Sequence, residues 1–122
     1  MKLIDDFFHI VSQNQAEGEY RCVIRLNPSH NLYSVHFPGN PVTPGVCLVQ
    51  IAQEILQKHL GKKLILYKAR NMKFKLPVVP TGEHSVVFTK TVEEEGGLTT
   101  NISIEDEENL YVVMTLKFRY SE

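Results

Sequence analysis

The chain has 122 residues, a length that fits one domain with a buried core. Its formal net charge is -1 at pH 7 and 43% of its residues are hydrophobic, which is an ordinary globular balance and argues against nucleic-acid binding. The N-terminus is acidic where a signal peptide is basic, and no stretch reaches the ~18 apolar residues of a membrane span. We therefore expect residues 1–122 to form a single domain.

Charged residues are segregated along the chain. Residues 58–75 contain seven lysines or arginines and no acid, whereas residues 93–108 contain seven acids and no base. This distribution is typical either of two solvated faces or of a surface that attracts an oppositely charged partner, and the sequence leaves both interpretations open.

The two cysteines, Cys22 and Cys47, lie among apolar residues and lack the spacing of metal ligands. Reduced thiols buried in a core are typical of cytoplasmic proteins, so we expect a cytoplasmic protein without a metal site. A single disulfide between the two cysteines is the less favoured alternative.

The N-terminal half predicts two strands followed by a long loop. An apolar run predicts a strand over residues 7–12, and the polar, glycine-containing stretch 13–18 predicts a turn. Alternation of apolar and polar residues predicts a half-buried strand over residues 19–26. Four prolines then predict an irregular loop over residues 27–44.

A broad apolar stripe predicts a largely buried helix over about residues 44–60. Thr43 suits the N-cap position and Pro44 the first helical position. Gly61 suits the position after the C-terminus, where a left-handed backbone is common.

The C-terminal half predicts four further strands, over residues 64–74, 84–92, 98–104 and 110–120, separated by turn-forming residues. One helix packed on one antiparallel sheet makes a two-layer α+β domain. A sheet curled around a helix leaves unpaired edge strands, so we also expect a dimer.

The segment before the helix combines a rigid backbone with one titratable side chain. Residues 36–45 read HFPGNPVTPG, so three prolines and two glycines restrict the path of the chain beside His36. A rigid loop that enters a buried helix can hold an imidazole next to the N–H groups of the helix N-terminus. We therefore regard His36 as a candidate functional residue, and interpret His30, His59 and His84 as incidental.

Two blocks of sequence resemble the β-hydroxyacyl-acyl-carrier-protein dehydratases. The first is residues 36–45, and the second is residues 71–82, which read NMKFKLPVVPTG and resemble the strand and proline-rich turn of that family. Both blocks have the family's order and separation, and the resemblance spans residues 7–118. It implies the hotdog fold, in which a curved antiparallel sheet wraps one long helix. It also implies a homodimer, sometimes a trimer of dimers, with active sites at the subunit interface.

The catalytic pair of that family is a histidine in this loop and an acid on the helix of the other subunit. By resemblance, His36 is the histidine and the backbone N–H of Gly45 holds the thioester carbonyl. The acid position holds Gln50, whereas Glu54 stands one turn later, where the family usually has glutamine. The chain also has Val35 where the family commonly has glycine, and it lacks the family's usual His-Arg-Tyr-Pro-like N-terminal stretch.

Dehydration of a 3-hydroxyacyl thioester needs a base for the C2 proton, an acid for the departing hydroxyl and donors for the carbonyl oxygen. The amide of Gln50 cannot supply the proton, and losing a general acid typically costs ~10²–10⁴ in rate. Three accounts stay open. Glu54 acts through a water held by Gln50, or His36 acts nearly alone in a weak or altered enzyme. In the third account the chain is an inactive subunit that binds acyl carriers or pairs with a catalytic homologue.

The resemblance also implies a substrate carried on the phosphopantetheine arm of an acyl carrier protein, with no cofactor and no metal. Four residues are predicted to line the acyl tunnel: Tyr33, Phe37, Val42 and Val46. Acyl carrier proteins are acidic, so a basic rim would help to dock them. Four residues on the predicted third strand are candidates for this rim: Lys68, Arg70, Lys73 and Lys75. Residues two apart on a strand share a face, which groups the first two and the last two.

We therefore predict a dehydratase-like protein that forms trans-2-enoyl thioesters in fatty-acid or polyketide-type synthesis. The alternatives are a non-catalytic hotdog subunit and an acyl thioesterase, because one fold hosts several chemistries. The His-Phe-Pro-Gly loop argues against the thioesterase. Gln50 and Glu54 are also compatible with the solvated face of an amphipathic helix.

Overall fold

The computed structural model describes residues 2–121, which form six strands and two helices. In chain order the elements are β1 (Phe8–Ala16), β2 (Glu19–Leu26), α1 (Asn31–Val35), α2 (Gly45–Leu60), β3 (Leu64–Phe74), β4 (Glu83–Glu94), β5 (Gly97–Glu105) and β6 (Leu110–Tyr120). Two strands, a long helix and four further strands follow one another as the sequence predicts.

One antiparallel sheet, in the order β1-β2-β4-β5-β6-β3, packs against α2. On β6, alternate side chains from Val112 to Phe118 are buried, so one face of the sheet forms the core. On α2, Ile51, Ala52 and Ile55 have no exposed surface and fill the space above that face. This arrangement is the hotdog fold, and the predicted α+β class is confirmed.

The two ends of α2 test the capping predictions. Pro44, with extended backbone, is the N-cap and makes no side-chain capping bond, so the predicted Thr43 cap is wrong. The Thr43 hydroxyl pairs instead with the Tyr33 hydroxyl at 2.8 Å. The C-terminal prediction is confirmed, because Gly61 has a φ of 66°, in the left-handed region that glycine adopts at little cost.

Two segments that were predicted to be irregular are regular. Strand β1 continues to Ala16 because its polar residues keep pairing with β2, so the predicted turn over residues 13–18 is wrong for most of its length. The side chains at this end of β1 are all exposed, so the sequence shows no alternation of buried and exposed residues that would predict a strand there. Within the predicted loop, α1 forms one short helix, capped by the His30 ring, whose Nδ1 accepts from Leu32 N–H at 3.0 Å.

The sheet has two edges, β1 and β3. Consecutive apolar side chains on β3 are well exposed: Ile65 by 52%, Leu66 by 37% and Tyr67 by 50%. An edge strand that exposes apolar side chains is a template for pairing with another chain. The predicted dimer therefore has a defined candidate surface.

The cysteine prediction is confirmed, because Cys22 and Cys47 are both free and buried. Burial raises the pKa of the Cys22 thiol to about 11 and also raises that of Cys47, so both remain protonated packing groups. Neither helix within residues 2–121 has the length and apolarity to cross a membrane. No group of three metal-ligating side chains occurs in the same range.

Candidate active site

His36 lies at the junction between α1 and the proline-rich loop. Its N–H donates to the Leu32 carbonyl at 3.0 Å, and its carbonyl accepts from Val42 N–H at 3.1 Å. Between these anchors Phe37 and Asn40 exchange backbone hydrogen bonds of 3.3 and 2.9 Å, which closes a tight turn. The peptide bond between His36 and Phe37 is cis. His36 is half-buried on this fixed backbone, so its side chain remains partly accessible.

Helix α2 begins directly after this loop. The N–H groups of Cys47 and Leu48 donate to the Pro44 carbonyl at 3.0 and 3.2 Å, where the helical hydrogen bonds start. The N–H of Gly45 precedes them in the first turn of α2, and it has no backbone acceptor among the described residues 2–121. With the positive end of the helix dipole behind it, this N–H suits an oxygen that gains negative charge.

Gly45 is also a place where a side chain would require the Phe74 ring to shift. A Cβ built on Gly45 would lie 2.9 Å from Cζ of Phe74, which is closer than real Cβ atoms come to a neighbour. The N–H of Thr43 donates to the Val78 carbonyl at 2.8 Å, so the loop is fastened to the segment after β3. The two sequence blocks that carry the family resemblance therefore contact each other at the start of α2.

An apolar pocket of about 410 Å³ opens at this contact. Its wall includes Val42, Gly45, Leu48, Phe74 and Leu76, so both blocks and the helix contribute. A pocket lined by such side chains suits a hydrocarbon group. Its position next to the Gly45 N–H places an apolar site beside a candidate carbonyl-binding site.

The four predicted tunnel residues occupy different environments. Val42 lines the pocket, whereas Phe37 and Val46 are 57% and 72% exposed. Tyr33 is 4% exposed and stacks on Phe7 with ring centroids 5.2 Å apart. Burial raises the pKa of the Tyr33 hydroxyl to about 12. In this chain, therefore, Tyr33 is a core residue that supports the loop through Thr43, and it does not line the pocket.

Glu54 is buried, with 7% of its surface exposed, and its carboxylate is fully engaged. Leu3 N–H lies 2.9 Å from Oε1 and 2.8 Å from Oε2, and Ile4 N–H donates to Oε1 at 2.7 Å. Gln50 Nε2 donates to Oε2 at 2.7 Å. Both oxygens act as hydrogen-bond acceptors for groups of the protein itself. Glu54 thus fastens the N-terminal segment to α2.

Gln50, which the sequence analysis predicts to occupy the family's acid position, donates a hydrogen bond to Glu54 on the next turn of α2. The pair lines a second cleft of about 590 Å³ that does not include Gly45. The structure therefore brings Gln50 and Glu54 together, and it places them on a different cleft from Gly45, the candidate carbonyl-binding residue.

The predicted docking residues Lys68, Arg70, Lys73 and Lys75 are all exposed. Lys68 pairs with Lys117 on β6, and Arg70 and Lys73 pair with Thr115 and Val113. These β6 residues point away from the core, and directly paired residues share a face. A bulge between Arg70 and Lys73 changes the alternation, so three of the four cations share the outer face rather than dividing into the predicted pairs.

Sequence reasoning missed two cations on the same outer face, Lys117 and Arg119. Their charged groups lie 5.7 and 3.8 Å from the ring centroid of Tyr67. The regular alternation of β6 is the signal that would have placed both residues opposite the core. We call Tyr67, Lys68, Arg70, Lys73, Lys117 and Arg119 the outer basic face.

Of the three histidines interpreted as incidental, His84 is the one with an unusual environment. It is 2% exposed on the core side of β4, and its Nδ1 has no hydrogen-bond partner within residues 2–121. Burial lowers the pKa of the His84 imidazole, and the negative charge of Asp106 opposes this effect. His30 caps α1, and His59 stacks on Tyr20 at 3.7 Å. Alternation with Val86 and Phe88 on β4 is the signal that marks His84 as buried.

A hotdog sheet around one long helix, with a histidine loop leading into the helix N-terminus, defines a protein of the dehydratase class of that fold. The family model of the ApeI-like dehydratases, described as ApeI dehydratase, matches residues 12–115. The chain belongs to this family. The predicted relation to the β-hydroxyacyl-acyl-carrier-protein dehydratases is thereby confirmed.

Curated relatives agree with this assignment. The chain is 30% identical over 105 residues to the 3-hydroxyacyl-acyl-carrier-protein dehydratase FabZ of Brucella abortus (strain S19), which covers 80% of this chain and 64% of that protein. It is 34% identical over 75 residues to FabZ of Clostridium acetobutylicum, which covers 54% of this chain and 53% of that protein. The chain thus spans less than two thirds of the length of these relatives.

Solved structures support the fold. The dehydratase heterocomplex ApeI:P from Xenorhabdus doucetiae aligns with a TM-score of 0.72 at 20% identity, covering 90% of this chain and 96% of that one. A thioesterase from Haemophilus influenzae aligns with a TM-score of 0.64 at 20% identity, covering 94% of this chain and 78% of that one. Dehydratases and thioesterases share this architecture, so the fold alone does not distinguish the two activities.

Proposed function

We propose that the protein is a dehydratase-like subunit that acts on 3-hydroxyacyl thioesters carried on acyl carrier protein and forms trans-2-enoyl thioesters. The observation that carries the proposal is the fixed loop that joins a half-buried His36 to the N–H of Gly45 at the start of α2. Membership in the ApeI-like dehydratase family supports the same reaction class.

The proposed roles follow from the chemistry of the reaction. The Gly45 N–H holds the thioester oxygen while negative charge builds on it, and the apolar pocket receives the acyl chain. The His36 imidazole removes the C2 proton and becomes imidazolium. The C3–O bond then breaks, and the hydroxyl leaves as water once it receives a proton. No metal or cofactor takes part in this proposal.

The source of that last proton separates two forms of the proposal. In the first, the His36 imidazolium returns the proton to the hydroxyl, and the chain is a slow enzyme by itself. In the second, a carboxylic acid comes from another subunit. The hydrogen bonds from Leu3, Ile4 and Gln50 to Glu54 favour these two forms over the account in which Glu54 is the acid.

Pairing with a second hotdog subunit is part of the proposal. The exposed apolar residues of β3 would join the two sheets in a homodimer, in a trimer of such dimers, or in a heteromer with a catalytic homologue. The ApeI:P protein, which shares the fold, is a heterocomplex. Gln50 at the acid position supports the heteromeric arrangement, in which the chain contributes His36 and its partner contributes the acid.

The outer basic face is the proposed docking surface for the acidic carrier protein. Lys68 and Lys117 lie directly opposite each other, and like charges in such a pair destabilise a sheet. An anionic partner would relieve this repulsion. We keep Lys75 in the proposal as a flanking contact, since its N–H donates to the Tyr111 carbonyl at 2.8 Å beside this face. We also propose a cytoplasmic location, which the reduced cysteines support.

A hydration–dehydration assay on short and medium acyl-carrier thioesters tests the proposal. It compares the wild type with His36→Ala, Gln50→Glu and Glu54→Gln, alone and after mixing with a catalytic hotdog homologue. If the wild type is active and the His36→Ala variant is inactive, the result supports the proposal that the chain is an enzyme. An inert wild type that gains activity in Gln50→Glu supports the subunit that lacks its acid.

Two results count against the proposal. Activity that is indifferent to His36→Ala rules out the dehydratase role. Release of free acid rather than enoyl thioester supports the thioesterase alternative. Loss of activity in Glu54→Gln with unchanged thermal stability would restore Glu54 as the acid.

A further inference from the structure

Helix α1 is a short helix that carries His36 at its end. It spans Asn31–Val35, and a helix of five residues is unstable unless other contacts hold it. His36 is its C-cap residue, and the His36 N–H donates to the Leu32 carbonyl at 3.0 Å. The position of the His36 backbone therefore depends on the contacts that hold α1 in place.

The side chain of His30 holds the other end of α1. His30 is the N-cap residue, and its Nδ1 accepts a hydrogen bond from the Leu32 N–H at 3.0 Å. The His30 carbonyl also accepts from the Tyr33 N–H at 3.1 Å. Leu32 therefore donates to one histidine through its N–H and accepts from the other, His36, through its carbonyl. A single residue connects the two histidines.

The bond to Leu32 also determines which nitrogen of the His30 ring carries a proton. A neutral imidazole accepts at one nitrogen and carries its proton on the other. The proton is therefore on Nε2, which donates to the Asp6 carboxylate at 3.2 Å. Because the Asp6 side chain is 73% exposed and exposed pairs are weak, the bond from Leu32 makes the larger contribution, and Asp6 orients the ring.

The N-terminal segment supplies the contacts that hold the His30 ring. The Asp6 N–H donates to the Leu3 carbonyl at 3.2 Å, and the Asp6 carbonyl accepts from Asn27 Nδ2 at 3.0 Å. The next residue, Phe7, is fully buried, and its ring meets the His30 ring edge-on with centroids 5.0 Å apart. The His30 side chain is therefore packed as well as hydrogen-bonded, and it cannot leave the start of α1 without breaking these contacts.

We propose that His30 is a positioning residue for His36. It holds α1, and α1 determines where the His36 imidazole lies relative to the start of α2. The effect on catalysis rests on the proposed function, whereas the hydrogen bonds through Leu32 do not. The apolar pocket is lined by the proline-rich loop, α2, the end of β3 and the segment after it, so loss of His30 leaves the wall of that pocket in place. His30, interpreted from the sequence as incidental, thus acts through His36 and touches no substrate.

Hydrogen exchange of backbone amides, followed by NMR on the full chain, tests the hold on His36 without any substrate. We expect His30→Ala to speed exchange of the His36 N–H by about ten-fold, because α1 opens more often once its cap is lost. His30→Asn should restore slow exchange, since asparagine is a preferred N-cap residue that can accept from the Leu32 N–H. The control His59→Ala removes a histidine that stacks on Tyr20 and should leave the exchange of His36 unchanged.

The dehydration assay, in the assembly that is active, tests the consequence for catalysis. It is run at a temperature at which circular dichroism shows each variant to be fully folded. The kcat of His30→Ala should fall about ten-fold, because a catalytic group that is displaced by about 1 Å loses much of its effect. KM should stay within about two-fold, since the acyl-binding wall is unchanged. His30→Asn should recover most of the lost kcat, and His59→Ala should keep the wild-type value.

Unchanged exchange of the His36 N–H in the His30→Ala variant would overturn the proposal. Faster exchange with an unchanged kcat would also overturn it, because His30 would then serve stability alone. If the alanine variant does not fold, His30→Phe gives the same test, since it keeps a ring against Phe7 and offers no acceptor. A wild type that is inert in every assembly overturns the proposed function instead, and the exchange measurement then still decides whether His30 holds His36.

Discussion

The two halves of α2 use the same helix for different purposes. At its N-terminus, α2 begins at Gly45, directly after the loop that carries His36, and the ring of Phe74 lies close to the Gly45 backbone. Further along, Gln50 and Glu54 are bound to each other and to the N-terminal segment. The first half therefore holds the candidate carbonyl-binding group, and the second half holds side chains that fasten the N-terminal segment.

This contrast shows what an exchange of two side chains does on one helix face. An acid at position 50 would face the cleft with a carboxyl group one turn from the N-terminal clamp. With glutamine there and glutamate at 54, the carboxylate moves under the Leu3 and Ile4 N–H groups and becomes a structural acceptor. Under the proposed function, the loop therefore keeps the histidine of the catalytic pair, while the helix lacks its acid.

Replacement of His36 by alanine should produce the largest effect. We expect the dehydration rate to fall by about 10²–10⁴, because a general base is lost, with the melting temperature unchanged. The rate is measured in the assembly that is active, alone or with the homologue. The control is His9→Ala on the exposed side of β1, which should have wild-type activity. Similar losses in both variants would mean that His36 is not the base.

Replacement of Glu54 by alanine should act on stability rather than on chemistry. It leaves the buried Leu3 N–H and its neighbours without an acceptor, and we expect a loss of about 3 kcal/mol in the free energy of unfolding. Urea denaturation measures this. The exposed Glu107→Ala variant should differ from the wild type by less than about 0.5 kcal/mol. A stable but inactive Glu54→Ala protein would contradict the clamp.

The difference between local and distant contacts explains which features of the fold were predictable from sequence. Strands β2, β3 and β6 have the predicted bounds, and α2 ends at the predicted glycine, because period-two alternation and helix C-capping are local signals. The polar end of β1 was missed because it is held by hydrogen bonds to β2 rather than by burial of its own side chains.

The candidate site divides in the same way. The position of His36 was predictable because prolines and glycines determine the loop locally. The use of Glu54 was not, since its partners Leu3 and Ile4 lie about 50 residues away in sequence. The burial of Tyr33 against Phe7 and the bulge that regroups the β3 cations also depend on distant contacts.

Replacement of Gly45 by alanine sharpens the account of the first half of α2. The added methyl group meets the Phe74 ring, and we expect a loss of about 2 kcal/mol in the free energy of unfolding. In a Phe74→Leu background the clash is relieved, so the same substitution should cost much less. Urea denaturation of the four proteins in this cycle gives the coupling. Additive losses would show that Phe74 does not restrict position 45.

The smallest expected effect concerns pH and lies away from both halves of α2, at His84. Burial holds its pKa below the ordinary 6.5, so the folded protein keeps the ring neutral while the unfolded chain binds a proton. The neutral His84 ring therefore leaves the free energy of unfolding at its full value above pH 6.5. As the pH falls below 6.5, the unfolded chain gains a proton that the folded protein does not, and the free energy of unfolding decreases. Between pH 7.5 and 5.5 the loss is at most about 1.4 kcal/mol, since one pKa unit corresponds to 1.36 kcal/mol.

The variant His84→Leu isolates the contribution of His84 to the pH dependence of the free energy of unfolding. Its other neighbours, Tyr111 on β6 and Asp106 in the preceding turn, remain in place, and Asp106 keeps the low pKa that its hydrogen bonds from Tyr111 and the Glu108 and Asn109 N–H groups produce. We expect the variant to lose less stability than the wild type on going from pH 7.5 to 5.5 in parallel urea titrations. Identical pH dependence in the two proteins would mean that His84 is protonated in the folded state, through the attraction of Asp106, and that its burial does not govern its charge.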